Sequence, residues 1–578
     1  MDKAAIAEFL EEMALLKGLM GENEFKIRAY GAAARAMLTT ELDPAALAAA
    51  GELHKIKGIG KHIEANITAF ISSGSSPEMD ELHSTVPPGV LEMLRVPGVG
   101  PKKARALWTE LGISSVSELE YACASNRLAD LKGFGDKSQK NIMEGIATLH
   151  KFSGRFLLPD AQATAHAMLD HLATEPSVKI AAIAGSTRRS KEIIKDVDLV
   201  AASATPEKVM DHFTFGPAVT SVLSKGTTKA SVMTAEGMQV DLRVVSERQF
   251  PFALHHFTGS KEHNTAMRSR ALSMGIKMNE YGLFRGEERI ECADEREIFN
   301  TLGLGYIPPE RRENIGEISE AEGGAEPELV TYKDIRGIFH LHTTASDGVE
   351  SLETMAKACM DRGWEYMGVA EHSRAAHYAG GLSTEALLRQ GEEIDRLNKK
   401  LKGFRIFKGV ESDILEDGAL DYPDDVLAQL DFVIASIHTR FKKEDEARVT
   451  RRLIAAAMSP YTTIIGHPTG RLLLSREAYP VNMPQLIEAC AANEVIIELN
   501  ANPQRLDIDW RELAAVRRAG GMISINPDAH RVHGLDHVKY GVTTARKGGV
   551  KPGMVLNTMG ADKVAAFLAD LRARRLAR

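Results

Sequence analysis

Gly185-Ser186-Thr187-Arg188-Arg189 follows an apolar run, Ile180 to Ala184, and leads after six residues to Asp196-Val197-Asp198-Leu199-Val200. The Gly-Ser pair reads as a tight turn at the end of a strand, and strand alternation puts Asp196 and Asp198 on one face. A third acid, Asp241, lies in Met238-Gln239-Val240-Asp241-Leu242-Arg243-Val244, a second strand able to pair beside the first. Three converging carboxylates repel one another unless cations neutralise them, and two bridging Mg²⁺ ions form a clamp for phosphoryl or nucleotidyl transfer. An Asp-x-Asp pair on a surface strand is usually just solvated. Here it is set among Val197, Leu199 and Val200, close behind a Gly-Ser turn, which favours chemistry.

Upstream, roughly the first 150 residues read as helices joined by short turns, and one pattern recurs three times: an apolar-Gly-apolar-Gly hairpin between helices. Its glycines are Gly58 and Gly60, Gly98 and Gly100, and Gly133 and Gly135. Paired glycines let the backbone turn and present N–H groups at the start of the next helix, where a phosphate oxygen fits. A single Gly-x-Gly turn is an ordinary connector. Three, beside Lys57, Lys61, Lys102, Lys103 and Lys137, point to DNA-backbone binding that ignores base identity.

Downstream, strands and helices alternate from about Phe156 to a glutamate-rich segment, Glu317 to Glu328, expected to be a solvated linker. Beyond it, short apolar runs end near Phe339, Ala370, Val410, Ile437, Ile465, Leu499 and Ile525, most of them separated by helical stretches. That pattern predicts a parallel barrel. His340, His342 and Asp347, Glu371-His372, Glu411, His438, His467, and Asp528 with His530 fall at or after the carboxyl ends of these runs, where barrel sites form. Leaving Glu371 aside, these nine imidazole and carboxylate groups suit two or three ions such as Zn²⁺ or Mn²⁺, which polarise a phosphodiester. His377, His533 and His537 read better as ordinary surface or core residues.

The 578 residues are 44% hydrophobic and 26% charged, which excludes a disordered chain, and no apolar run is long enough to span a bilayer. Cys123, Cys292, Cys359 and Cys490 form no CxxC pair, so reduced thiols and a cytoplasmic, nucleoid-associated location are expected. A net charge of −8 argues against a broad positive surface, so any DNA contact must be local.

The Gly-Ser, double-arginine and Asp-x-Asp stretch resembles the nucleotidyltransferase palm of family X DNA polymerases. His255-His256-Phe257-Thr258-Gly259-Ser260-Lys261-Glu262-His263-Asn264-Thr265-Ala266-Met267-Arg268 is similar to that family's nucleotide-binding segment, and Leu304-Gly305-Tyr306-Ile307-Pro308-Pro309-Glu310 to its closing motif. The histidine and carboxylate ring resembles a PHP (polymerase and histidinol phosphatase) domain, in the order found in bacterial and archaeal members of the family. The resemblance covers essentially the whole chain.

It implies a multidomain α/β protein: a lyase-like helical domain over 1–85, a second helix-hairpin-helix subdomain over 86–153, an α+β palm over 154–254 and a nucleotide- and template-binding subdomain over 255–316. The acidic linker would occupy 317–332, and a distorted (β/α)7 PHP barrel 333–578. By the same resemblance Asp196, Asp198 and Asp241 hold two Mg²⁺ ions, and Gly185, Ser186 and Arg189 hold the triphosphate. His256 and Phe257 crowd the sugar, Gly259 lets the backbone approach, Lys261 adds a nucleotide contact, Asn264 touches the base edge and Arg268 the template. In the barrel, His340, His342, Glu411 and Asp528 would share one Mn²⁺ or Zn²⁺. Glu411 would bridge to a second with His438 and His467, and Asp347, His372 and His530 would surround a third.

One departure is Asn66, which stands where animal repair members carry the lysine of a Schiff-base lyase. Lys26 matches another basic position of that pocket. The implied function is short-gap filling on gapped or nicked DNA bearing a 5′-phosphate, from dNTPs, in base excision repair. A 3′→5′ exonuclease in the barrel would accompany it, with apurinic-site cleavage or 3′-phosphate removal as further uses of that site and a monomer as the expected state. The alternative is a phosphoesterase whose palm serves as a DNA clamp.

Overall fold

The computed structural model describes residues 3–578 apart from 41, 126, 129, 130, 132, 133, 153 and 440–444. Contacts divide the chain into two units, Met1–Ser153 and Gly154–Arg578. Among the described residues no helix is long and apolar enough to cross a membrane. The four cysteines are buried and unpaired.

The first unit is built from short helices, several begun by a side-chain cap: Asn23 before Glu24–Thr39, Ser76 before Pro77–Thr85 and Ser115 before Val116–Ala124. Ile6, Leu10, Met13 and Leu16 recur at helical spacing and bury one face of Lys3–Met20 against Tyr30, Ala33 and Met37. One backbone bond recurs in all three hairpins. Ile59 N–H donates to Ile56 O at 3.1 Å, Val99 to Val96 at 3.0 Å and Phe134 to Leu131 at 3.1 Å. Gly58 and Gly98 have φ of 99° and 92°, a backbone region that favours glycine, while Gly60 and Gly100 begin the helices Lys61–Ser73 and Pro101–Leu111. Gly135 precedes Asp136–Phe152, and Gly133 lies outside the described residues. A Cβ at Gly58, Gly60, Gly98, Gly100 or Gly135 would meet nothing within 4 Å, so these turns face open space.

The second unit opens with a five-stranded sheet. Asp196–Ala202 runs antiparallel to Ile180–Ile183 on one side and parallel to Gln239–Val245 on the other, followed by Lys229–Thr234 and the edge strand Val219–Lys225. Val197 and Leu199 are buried with Met168, Val209 and Phe213 of the covering helices, which leaves Asp196 and Asp198 on the opposite, half-exposed face. Two helices, Phe250–Thr258 and Lys261–Ser273, and a three-stranded antiparallel sheet follow.

From Gly337 the strands pair in parallel, in chain order. Gly337–Ile338, Tyr366–Val369 and Arg405–Lys408 form one sheet; Glu411–Asp413, Ile434–Ser436, Ile464–Ile465, Ile496–Asn500 and Ile523–Asn526 form another. Arg405–Lys408 and Glu411–Asp413 are two halves of one interrupted strand. Parallel bridges His372–Glu411 and Leu341–Ala529 join the sheets on both sides, so seven strand positions close on themselves. Most of these strand residues are buried, as a parallel sheet covered by helices requires.

Residues 317–332 correct one expectation, because this segment is not a solvated linker throughout. Glu317 is buried, accepts the Asn314 and Ile315 N–H groups at 2.8 and 2.7 Å, and lies 2.8 Å from His263 Nδ1. Glu322 bridges to Leu304, and Ala321 and Val330 are buried. A carboxylate supplied with backbone donors and an imidazole tolerates burial that composition alone does not reveal. The stretch 322–328 stays largely exposed, as do Ser319, Glu320, Thr331 and Tyr332.

Candidate active sites

The parallel register sets Asp198 directly opposite Asp241, with Asp196 two residues back on the same face. The glycine of the Gly-Ser turn is required by both conformation and space: Gly185 has φ of 59°, and a Cβ there would come 1.9 Å from Asp198 Oδ2. Gln239 donates to Asp241 at 2.8 Å, and Lys229 Nζ lies 3.5 Å from the same carboxylate. Burial, then the charges of Asp196 and Asp241, push the Asp198 carboxyl up to about 7, against the pull of Arg189 and Lys229. Three oxygen donors with too few cations around them fit hard divalent ions such as Mg²⁺.

A cavity of about 480 Å³ adjoins these acids, lined by Gly185, Ser186, Arg189, Asp196, Asp198, His256, Phe257, Gly259, Lys261, Asn264 and Arg268. Every residue expected at the nucleotide is there, together with Thr265, which the sequence reading missed; Asp241 is not among the lining residues. Asn264 donates to His256 O at 2.7 Å, while its buried Oδ1 has no partner. Arg268 Nη2 lies 3.0 Å from His256 Nδ1. The two arginines of the motif part company: Arg188 pairs with buried Glu295, whereas Arg189 lines the cavity.

Seven of the nine expected barrel ligands gather at the carboxyl ends of the strands in three overlapping sets: His340, His342 and Glu411; His372, Glu411 and His438; and His342, Asp347, His372 and His530. His467 Nε2 lies 2.9 Å from Glu411 Oε1, and Asp528 Oδ1 lies 3.3 Å from His342 Nε2 and 3.5 Å from His340 Nε2. Glu411, His342 and His372 each belong to two sets, and His372 rather than His467 joins His438 and Glu411 in the second. The donors suit a transition-metal cluster, since His340 Nε2, both His342 nitrogens, His372 Nδ1 and Glu411 Oε2 are buried without hydrogen-bond partners.

Burial alone would lower His372 and His438, but Glu411 outweighs it and pushes them up to about 10 and about 9. Burial and then His530 and His372 push His342 down to about 3. Two of the nine sit in strained backbone, His467 with φ of 23° and Asp528 with φ of 51°, which the surrounding packing must hold.

Sequence reading also missed the residues behind the ligands. Glu498 lies 2.7 Å from His340 Nδ1 and accepts the His467 N–H at 2.8 Å, and Asp413 lies 3.3 Å from His438 Nδ1. Such partners orient ligating imidazoles. Their available signal was a charge inside an apolar strand, Ile496-Ile497-Glu498-Leu499. Tyr378, 69% exposed, has its ring 6.3 Å from that of His372, and Arg505 Nε lies 3.4 Å from Asp528.

In the first unit Asn66 is buried and donates to Glu78 at 2.7 Å and to Tyr30 Oη at 3.1 Å. Glu78 also receives buried Lys17, and Lys26 pairs with Glu22 on the surface. The position of the expected lyase nucleophile is thus filled by a closed polar network.

Comparison with known proteins agrees with this geometry. Residues 253–313 match the model of the DNA polymerase beta thumb, residues 1–76 a helix-hairpin-helix domain, and residues 90–148 a SAM-like helix-hairpin-helix tandem. The chain is 39% identical over 576 residues to the DNA polymerase/3′-5′ exonuclease PolX of Bacillus subtilis, covering 98% of this chain and 99% of that protein. Its C-terminal part is 27% identical over 251 residues to a probable phosphatase of Caldanaerobacter subterraneus subsp. tengcongensis and 28% identical over 247 residues to one of Thermoanaerobacter, covering 91% and 93% of those proteins. These likenesses define a family X type DNA polymerase whose C-terminal part is similar to probable phosphatases. The chain belongs to the PolX family of DNA polymerase/3′-5′ exonucleases.

Proposed function

We propose that the protein fills short gaps during DNA repair, extending a primer from dNTPs at the palm, and removes 3′-terminal nucleotides at the barrel. The observation that carries this reading is the Asp198–Asp241 register beside a cavity lined by all the expected nucleotide contacts, in the same chain as a second, histidine-rich centre. Asp196, Asp198 and Asp241 would hold Mg²⁺, which neutralises the triphosphate and eases loss of the primer 3′-hydroxyl proton. Arg189, Ser186 and Lys261 bind the phosphates, His256 and Phe257 border the sugar, and Asn264 and Arg268 orient base and template.

In the barrel, read as a PHP domain, the nine ligands would hold Mn²⁺ or Zn²⁺, which activate water toward a phosphodiester near neutral pH. Glu498 and Asp413 fix the imidazoles, and Arg505 stands ready for a substrate phosphate. The probable-phosphatase relatives favour a second use of this site, removal of 3′ phosphates. The hairpin amides of the first unit would grip the DNA backbone at a gap, around a 5′-phosphate that Asn66 cannot help cleave from its sugar.

The test is a 5′-phosphorylated one-nucleotide gap incubated with the full chain, Asp198→Ala or His342→Ala, with Mg²⁺ or Mn²⁺. Asp198→Ala is expected to lose extension and keep degradation, and His342→Ala the reverse. Loss of both activities in either variant overturns the two-site reading.

A further inference from the structure

A residue of the barrel reaches the wall of the nucleotide cavity and has no part in the chemistry assigned above. Lys547, at the end of the helix Val538–Lys547, is 1% exposed. Its Nζ donates to the carbonyl of Arg189 at 3.0 Å, to the carbonyl of Glu310 at 3.3 Å and to Glu313 Oε1 at 2.6 Å, and it sits 4.8 Å from the centre of the Trp510 ring. Glu313 also accepts Arg189 Nε at 3.2 Å and lies 3.6 Å from Lys191 Nζ, while Arg189 Nη1 donates to the Thr258 carbonyl. Lys547 therefore grips Arg189 twice, at the backbone directly and at the guanidinium through Glu313.

Mere attachment of barrel to palm does not need such a group. Arg546–Glu310 at 2.6 Å and Arg511–Glu192 at 3.1 Å already join the two with less deeply buried cations. Burying an ammonium is costly unless every partner is placed for it, and what such a site secures is geometry. The backbone agrees. Ser190, next after Arg189, has φ of 51°, a left-handed conformation that a non-glycine residue holds only when its neighbours impose it.

We propose that Lys547 is a positioning residue of the polymerase, setting where the Arg189 guanidinium stands for the incoming triphosphate. The proposal rests on the reading of Arg189 as a triphosphate contact. It makes the barrel part of the nucleotide site whether or not the barrel is cutting DNA.

The experiment measures kcat and KM for the incoming dNTP on a one-nucleotide gap, and exonuclease activity, in the full chain, Arg189→Ala, Lys547→Met, Glu313→Gln and the Lys547→Met/Glu313→Gln double variant. Expected is a KM raised about tenfold in Lys547→Met, with kcat changed less than threefold and exonuclease retained. Because Lys547 reaches the Arg189 guanidinium through Glu313, the double variant should raise KM no further than the larger single effect. Additive effects, or an unchanged KM in Lys547→Met, overturn the positioning role while a raised KM in Arg189→Ala leaves the nucleotide site standing. An unchanged KM in Arg189→Ala overturns the nucleotide reading and this proposal with it. Should Lys547→Met lose both activities, Glu313→Gln decides alone: a raised KM with exonuclease intact supports the role, and an unchanged KM overturns it.

Discussion

Asp198 shows how much one side chain can carry. Its ordinary pKa of 3.8 is raised to about 7 in the fold, so between these values the folded state holds a proton that the unfolded chain has lost. That proton's contribution to stability is present at low pH and fades as pH rises to about 7. A divalent ion must displace the same proton below pH 7 and binds freely above it. The apparent Mg²⁺ affinity for extension should therefore weaken about twofold from pH 8 to 7 and about fivefold more from pH 7 to 6. Mg²⁺ titrations of extension at the three pH values check this, and a constant half-saturating concentration would refute it. Gly185→Ala should abolish extension, because its methyl group would overlap the Asp198 carboxylate, while leaving exonuclease intact; paired assays read the difference. Both residues were legible in sequence because the chemistry rests on a short spacing, Gly-Ser then Asp-x-Asp. Thr265 was not, since only the fold of Lys261–Ser273 turns it toward the cavity.

At the scale of the element, the parallel strands were readable from their apolar runs, and the histidines and carboxylates that gather at one end from their place after those runs. What stands behind them was hidden, because a buried carboxylate such as Glu498 is intelligible only once the closed ring of strands brings His340 and His467 to it. Glu498→Gln should loosen metal binding by about 10- to 100-fold and slow the exonuclease accordingly, with gap extension unchanged. Metal titration of the exonuclease measures this directly. The segment 317–332 misled for a related reason: glutamates look solvated in a composition, yet Glu317 satisfies two backbone N–H groups and stands against His263. Truncating it as Glu317→Ala would leave the buried His263 ring nitrogen without this partner and the two N–H groups without this acceptor. The expected cost is about 1–3 kcal/mol, visible as a lowered thermal midpoint, with the nucleotide KM unchanged.

For the whole molecule, the net charge of −8 and the three hairpins together constrain how DNA is held. The lysines beside the turns are partly committed within the protein: Lys102 pairs with Glu24 at 2.7 Å, and Lys103 donates to the Gly98 carbonyl and to Ser138. On the proposed reading, backbone amides at the open faces of the turns would be the main phosphate contacts, and amides release few counterions. If each hairpin neutralises about one phosphate, log K against log salt should slope near −3, so affinity for gapped duplex falls only about 60-fold between 50 and 200 mM salt. A cationic surface would give a far steeper loss over that range. Fluorescence anisotropy of a labelled gapped duplex across a KCl series distinguishes the two. A slope near −8 would mean that a broad basic face, not the hairpin amides, carries the binding.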